Sequence, residues 1–358
     1  MNTATNKTFT AEMLRSFSET CLQSVGTHQA DSVIIADNMV QANLRGEDSH
    51  GVQLLPIWVK RINHGGIKTN ATMELVEDHP STALMNANDG IGQVAAVEAM
   101  RLAVKKATQT GFALIGVQHI SSYTNAKHST MIALDHKMIG FSMSNANPIL
   151  FAPGGITHRI GTNPIAFAVP AKHEFPVVLD MSTAVVGHER IREAVRQNIP
   201  IPSEWGVDKA GKPTNNPNDI WEGGSLNHFG GYKGFGLAVI IEALTGVLMD
   251  AGFTTGVSEW FPYENIEDRG KLFGALNIEH FINYDTFTSR VDTLIRQVRA
   301  SKLAPGFERI YLPGEKGFLE SNKRTSQGIP LDVRMVEQLE ALAVELNVPK
   351  LTSLNGIE

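Results

Sequence analysis

Apolar residues recur at helical spacing from the start of the chain. Leu14, Phe17, Cys21 and Val25 fall three or four apart behind Thr10, a residue able to cap a helix, and Gly26 follows them. This predicts a first helix. A second is predicted over about 28–43, with Val33, Ile34, Met39 and Val40 turned to a core. The loop Arg45-Gly-Glu-Asp-Ser-His-Gly51 separates it from a third, Leu54 to Asn63, which stops at Gly65-Gly66. The first 65 or so residues therefore read as a helical unit.

Past that point the periodicity changes. Short extended runs are expected at Thr72–Val76 and Thr82–Asn86. Helical spacing over Gln93–Gln109 and about 125–136 then alternates with strand-like runs at Phe112–Val117, Ile139–Ser144, Ile165–Val169 and Pro176–Asp180. A long helix is expected after Gly236, carrying Leu237, Ile240, Ile241, Leu244 and Leu248, and Leu272–Ile278 reads as another strand. Such alternation argues for a mixed α/β region. Helical signals return at Phe287–Ala300, are broken by Pro305-Gly306, and close with an amphipathic helix over Pro330–Leu346. The expected organisation is a helical part over 1–75, an α/β part over 76–284 and a helical part over 285–358 that packs with the first.

Composition narrows the classes of function. A chain of 358 residues with 42% hydrophobic and 19% charged residues builds a large core without staples. Net charge is −6, a poor match for nucleic acid or an anionic membrane. Cys21 is the only cysteine, which excludes an intrachain disulfide and a cysteine-based zinc site. The expected compartment is the reducing cytoplasm. Residues 1–10 are polar and lack the apolar stretch of a signal peptide. The apolar run Phe235–Leu248 carries Glu242 and falls short of the ~20 residues that span a bilayer.

Gly90-Ile-Gly92-Gln-Val-Ala95 has the form of a dinucleotide fingerprint before a helix. The next strand, however, ends at Val117-Gln118-His119 without the acid that takes a ribose hydroxyl. A glycine-rich helix start is the better reading.

Five loops carry candidate chemistry. Arg45, Ser49 and His50 share the first: an imidazole that titrates near neutrality, a hydroxyl to orient it and a guanidinium suited to a carboxylate. These residues also fit a capped helix start with solvated charges. Ile160-Gly-Thr-Asn-Pro164, with Thr162 and Asn163, leads into a strand and fits a turn equally well. Leu179-Asp-Met-Ser-Thr183 places an acid at a strand exit, where it serves a ligand or caps the next helix. Gly230-Gly-Tyr-Lys-Gly-Phe-Gly236 opens a helix with bare N–H groups and Lys233, which suits an anion. Leu312-Pro-Gly-Glu-Lys316 is read as a turn after a short strand. No metal-ligand spacing, nucleophile elbow or phosphate-binding P-loop is present.

Taken in order, these loops resemble the type 2 malate/L-lactate dehydrogenase family, which also holds ureidoglycolate and sulfolactate dehydrogenases and cyclic imine reductases. The similarity runs through Arg45–Gly51, Gly92–Ala96, Ile160–Pro164, Leu179–Ser182, Pro200-Ile-Pro202, Trp205–Asp208, Gly231–Leu237, Leu312–Glu315 and Gly328–Leu331. It implies a mixed-sheet α/β nicotinamide-binding domain, not a classical Rossmann fold, plus a helical domain from the two chain ends. It further implies hydride transfer between NAD or NADP and a small 2-hydroxy or 2-oxo acid, in a homodimer with its site near the subunit interface. By the same resemblance His50 is the acid/base, supported by Arg45 and Ser49. Asp180, Met181, Ser182, Lys233, Gly314, Glu315 and Lys316 line the cofactor site, and Thr162 and Asn163 lie close by.

Departures from the family pattern concern the substrate. The resemblance implies a substrate pocket of Leu54, Trp58, His119, Ser122, Thr162 and Asn163; many relatives carry a second histidine at the position of Ser122, for which His119, three residues earlier, substitutes only if the loop shifts. Many also carry an arginine where this chain has Leu54 and a tyrosine where it has Trp58. These changes point to a different or less polar substrate, or to a weaker enzyme. Ala304–Gly314 looks most like the ureidoglycolate branch. The alternatives are thus a ureidoglycolate dehydrogenase, a cyclic imine reductase, or a cofactor-binding protein that has lost catalysis.

Overall fold

The computed structural model describes residues 6–356. Residues 1–5 and 357–358, the outermost parts of the polar leader and of the C-terminal segment, lie outside the described residues. The chain opens with β1 (Lys7–Phe9), α1 (Ala11–Ser24), α2 (Gln29–Leu44) and α3 (Leu55–Asn63). Thr10 does cap α1: its Oγ1 accepts from the Met13 N–H at 3.1 Å. Val33 does not face the core as expected and is 45% exposed. Met39 and Val40 turn inward as expected, and in the first half of α2 Ser32, Ile35 and Ala36 are buried where Val33 and Ile34 were expected.

The middle of the chain forms β2 (Glu74–Asp78), β3 (Thr82–Asn86), α4 (Gly92–Thr110), β4 (Phe112–Ile120), α5 (Ala126–Asp135) and β5 (Met138–Ser144). There follow β6 (Leu150–Phe151), β7 (His158–Ile160), β8 (Ile165–Val169), β9 (Val177–Met181), α6 (His188–Gln197), β10 (Gly206–Val207), α7 (Pro217–Trp221) and β11 (Ser225–Leu226). The expected helix after Gly236 starts earlier: α8 spans Tyr232–Glu242 and runs into a π-helical turn, Ala243–Val247. The chain continues through β12 (Arg269–Asn277), α9 (Tyr284–Arg299), α10 (Glu315–Gln327), β13 (Ile329–Leu331) and α11 (Val333–Glu345). The last helix begins at Val333 rather than Pro330, since Ile329–Leu331 pair antiparallel with β1. The short strand expected before Leu312 is irregular backbone. Helix α10 escaped the sequence reading because it buries only Glu315 and so carries no apolar stripe.

Seven strands form the main sheet, in the order β2-β3-β4-β12-β5-β8-β9. Only β3 and β4 run parallel; the other neighbours are antiparallel. This mixed order is not that of a doubly wound sheet. A smaller sheet orders β10-β11-β6-β7. One apolar cluster joins Leu14, Phe17 and Met39 from the first helices to Ile329, Leu331, Leu339 and Leu342 from the tail. A second packs α4 and α5 on the main sheet through Met100, Ile115, Tyr123 and Phe273.

Register decides where chemistry gathers. Arg269 pairs with Ile120, Lys271 with Ser144 and Ile165 with Met181. The ends of β4, β5 and β9 and the starts of β8 and β12 therefore share one edge. The N-terminus of α4 meets the same edge. A Cβ on Gly92 would lie 2.2 Å from the Ser122 carbonyl, and the Gly92 N–H donates to Ser121 Oγ at 2.9 Å. The glycines of the false fingerprint are spent on this packing.

Candidate active site

His50 ends a single 3₁₀ turn, Asp48–His50, on the loop between α2 and α3. The loop is clamped from two sides. Asn43 Nδ2 donates to Asp48 Oδ1 at 2.7 Å, and Asn43 Oδ1 accepts from the Val52 N–H at 2.9 Å. Arg324 of α10 donates to Asp48 at 2.7 and 3.2 Å and to the Asn43 carbonyl at 2.6 Å. Gly51 is required here, because a Cβ would sit 2.2 Å from the Asn43 side chain. A clamped loop costs less to organise at the moment of reaction.

Ser49 Oγ lies 2.9 Å from His50 Nδ1. With Nδ1 engaged, Nε2 is the nitrogen free to exchange a proton with a ligand. His50 reaches solvent, yet neighbouring groups crowd it. That desolvation pulls its pKa down, while Asp180 and Glu47 draw it back up. Asp180 leaves the sheet at the end of β9 and keeps about 20% of its side chain exposed. Its Oδ2 accepts from the Lys127 N–H, in the first turn of α5, at 3.1 Å, and the Lys127 ammonium stands 3.6 Å away. Lys127 is also paired with Glu47. Burial raises the Asp180 pKa, and Lys127 only partly offsets it. Glu47 and Lys127 were missed as site residues from sequence. Glu47 stood inside the quoted loop, and Lys127 opens a helix without any motif of its own. Arg45 is desolvated beside Glu47 and Asp180, and its Nε has no hydrogen-bond partner.

The remaining candidates fall into three groups. Thr162 and Ser182-Thr183 lie together: the Thr162 carbonyl accepts from the Thr183 N–H at 2.8 Å and its Oγ1 at 3.0 Å. Phe229 donates to the Thr183 carbonyl at 3.0 Å, which brings the Gly230–Lys233 loop beside Met181 and Ser182. Lys233 is exposed at the uncapped start of α8. Asn163 is fully occupied as a brace. It donates to the Ala238 carbonyl at 2.9 Å and to Glu242 at 2.6 Å, and accepts from the Ala146 N–H at 3.1 Å.

Gly314 packs against Val178 of β9, and the Pro313 carbonyl accepts from the Val178 N–H at 3.2 Å. Glu315 turns inward. It pairs with Arg309 and Arg299 and accepts from the Leu312 N–H at 3.0 Å, while Lys316 is exposed over the Tyr311 ring.

The third group is Leu54, Trp58, His119 and Ser122. Leu54 and Trp58 are buried in the first apolar cluster, and Trp58 stands 6.4 Å from Trp260. Ser122 is buried, and its N–H donates to Glu267 at 3.2 Å. His119 is bonded through Nδ1 to Asp268 at 2.8 Å. Around Glu267 lies a cluster that sequence reading missed. Its fully buried carboxylate is paired with Arg61, accepts from Trp260 Nε1 at 3.1 Å and has Arg269 Nε at 2.7 Å, close but poorly aligned for a hydrogen bond. Its signal was an alternation, Glu267-x-Arg269-x-Lys271, entering an otherwise apolar strand. No cluster of three or more metal-ligating side chains occurs among the described residues.

Comparison with known proteins shows which ones the chain is similar to. The malate/L-lactate dehydrogenase family model matches residues 9–340. A malate dehydrogenase of Pyrococcus abyssi is 35% identical over 342 residues, covering 94% of this chain and 94% of that protein. A ureidoglycolate dehydrogenase (NAD(+)) of Escherichia coli is 31% identical over 323 residues, covering 89% and 91%. The solved sulfolactate dehydrogenase of Methanocaldococcus jannaschii superposes with a TM-score of 0.91 at 33% identity, covering 97% of this chain and 99% of that one.

Proposed function

The chain belongs to the malate/L-lactate dehydrogenase family, and from that premise we propose that it moves a hydride between a nicotinamide cofactor and a small 2-hydroxy or 2-oxo acid. One observation carries the mechanism: an imidazole fixed through Nδ1 by Ser49 beside two carboxylates, Asp180 and Glu47. In the reductive direction alkoxide charge develops on the substrate oxygen, and His50 Nε2 donates the proton. Asp180 and Glu47 favour the imidazolium that must be present beforehand. Arg45 flanks this pair, and Ser49 keeps the ring in register. In the oxidative direction the neutral ring takes the hydroxyl proton.

NAD or NADP supplies the hydride when bound. The donor set at the start of α8 fits its phosphates: uncapped N–H groups, Gly230 and Gly231 at positive φ, and the exposed Lys233. Met181 and Ser182 adjoin that loop. Asp180, the Gly314 turn and Lys316 lie toward the other side of β9, and Glu315 secures that turn from within. Thr162 holds Thr183, the neighbour of Ser182, and Asn163 braces α8.

We further propose a cytoplasmic homodimer. The support is an apolar strip on α8 and its π-helical turn: Tyr232, Ile240, Val247 and Leu248 are 74, 57, 57 and 62% exposed. No helix among the described residues is long and apolar enough to cross a membrane. We keep the division at 75/76 and 284/285 as a proposal, supported by the first apolar cluster, which joins the N-terminal helices to β13 and α11, whereas α9 packs on Phe175 through Val291 and Ile295.

The test is oxidation of NADH and NADPH against oxaloacetate, pyruvate, a longer 2-oxo acid, a 2-oxo amide and a cyclic imino acid, with ureidoglycolate and NAD⁺ run in reverse. Turnover of a 2-oxo acid supports the proposal. Turnover of the imino acid alone replaces it with an imine reductase, and of ureidoglycolate alone with that dehydrogenase. Cofactor binding with no turnover anywhere replaces it with a catalytically silent binding protein.

A further inference from the structure

Leu54, directly before α3, offers no cation to an acidic substrate, but β12 brings two cations to the shared edge of the sheet. Arg269, Lys271 and Phe273 alternate along one face of that strand. Phe273 meets the edge of the Tyr123 ring, and the Lys271 ammonium stands 4.8 Å over its centre. Lys271 is 0% exposed and its Nζ has no hydrogen-bond partner. The Tyr123 hydroxyl, also buried, has Ser142 beside it but makes no well-formed hydrogen bond. Tyr123 lies on the segment between β4 and α5, directly before the turn that presents Lys127 to Asp180.

Glu267 does not absorb this charge. Its Oε1 is taken by Arg61 and the Ser122 N–H, and its Oε2 by Trp260 and Arg269. Three cations thus surround one saturated carboxylate. Arg269 is 7% exposed, and its Nη2 keeps only a long 3.5 Å contact with Asn147. Native interiors carry few unpaired buried donors, so two beside one another need a partner.

We propose that Arg269, Lys271 and Tyr123 form an anion subsite that receives the carboxylate of the substrate reduced at His50. Arg269 is the outer donor and Lys271 the inner one, with the Tyr123 hydroxyl between this pair and the Asp180 end. The inference rests on the hydroxy-acid reading of the preceding section and names the residues that hold the acid in place of a cation at Leu54. Burial, with Arg269 adding to it, holds the Lys271 pKa well below the ordinary lysine value. An arriving carboxylate favours the charged amine and offsets its burial, so the subsite prefers an acid to its neutral amide.

The experiment compares oxamate with neutral oxamide by titration calorimetry, with cofactor present, on the wild type, K271M and K271R. The wild type should prefer oxamate, and K271M should lose about ten- to a hundredfold of that preference, as expected for a hydrogen bond to a charged group. K271R should keep most of it. K271M should also melt higher, because an apolar side chain of similar volume replaces an unpaired amine. An unchanged preference in K271M, a lower melting point, or no oxamate binding by the wild type would each overturn the subsite. The two readings fail separately. Loss of preference in K271M without turnover of any acid by the wild type removes the dehydrogenase reading and keeps the subsite. Turnover with an unchanged preference does the reverse.

Discussion

Asp180 and Glu267 are both carboxylates drawn away from water at one edge of the same sheet, and their pKa values move in opposite directions. At Asp180 burial dominates and the pKa rises; its cation, Lys127, is shared with Glu47. At Glu267 burial also pushes upward, but Arg269, Arg61 and Lys271 together outweigh it and the pKa falls. One end of the site is therefore short of positive charge and the other has it in excess. The contrast suits a reaction in which a proton must be held on His50 while an anion is held a short way off. Charge balance, not the type of acid, separates the two roles.

The most severe way to break the contrast is His50→Ala. It should lower reductive kcat by about 10²–10⁴-fold, the usual share of general acid catalysis, and leave the cofactor Kd unchanged. A kcat within experimental error of wild type would return the proton donor's role to another group.

Glu267→Gln attacks the other end. It strands Arg61 and Arg269 without their counter-ion, and removing one partner of a buried pair costs about 3–5 kcal/mol. The check is the thermal midpoint against pH. Because the folded pKa of Glu267 lies below the usual carboxylate range, its contribution is present at neutral pH and lost as the solution is acidified through that folded value. The wild type and the variant should therefore converge in acid and separate above it. Asp180 has a raised folded pKa, so its contribution runs the other way and fades as pH rises. A constant gap between wild type and E267Q at all pH values would remove the ion-pair account.

Asp180→Asn should act more mildly and in one direction. It removes the strongest influence holding the His50 pKa up. Reduction needs the protonated ring, so the pH above which reductive kcat/KM falls should move down. An unmoved limb would assign Asp180 to the cofactor alone.

Much of the scaffold was legible because each element that packs on the core carries a periodic apolar face. Helix α1, with its Thr10 cap, and the strand Ile165–Val169 were read at or near their observed bounds. Elements held by polar contacts were not legible: α10 has no apolar stripe, and β13 forms only because β1 is there to pair with it. The site divides in the same way. Ser49 and His50 are neighbours in sequence, so their contact could be anticipated. Lys127 meets Asp180 across 53 residues, and Arg61 meets Glu267 across 206. No local pattern announces such partners. The alternation of Glu267, Arg269 and Lys271 marked a face, but nothing in it revealed that Tyr123 covers that face.

Ser49→Ala gives the smallest effect and the sharpest control on the comparison. Ser49 carries no charge, so it cannot alter the balance that distinguishes the His50 end from the Glu267 end. It supplies only the 2.9 Å contact at Nδ1. Losing one neutral hydrogen bond typically costs about 0.5–1.5 kcal/mol, which corresponds to roughly a two- to tenfold loss of kcat if the bond serves to aim the ring. The pH limb should stay where it is in the wild type, unlike in Asp180→Asn. A kcat loss with a fixed limb separates orientation from electrostatics at one imidazole. A limb that moves as far as it does in Asp180→Asn would show that Ser49 sets the proton affinity of His50, and the division of roles drawn between the two carboxylates would have to include it.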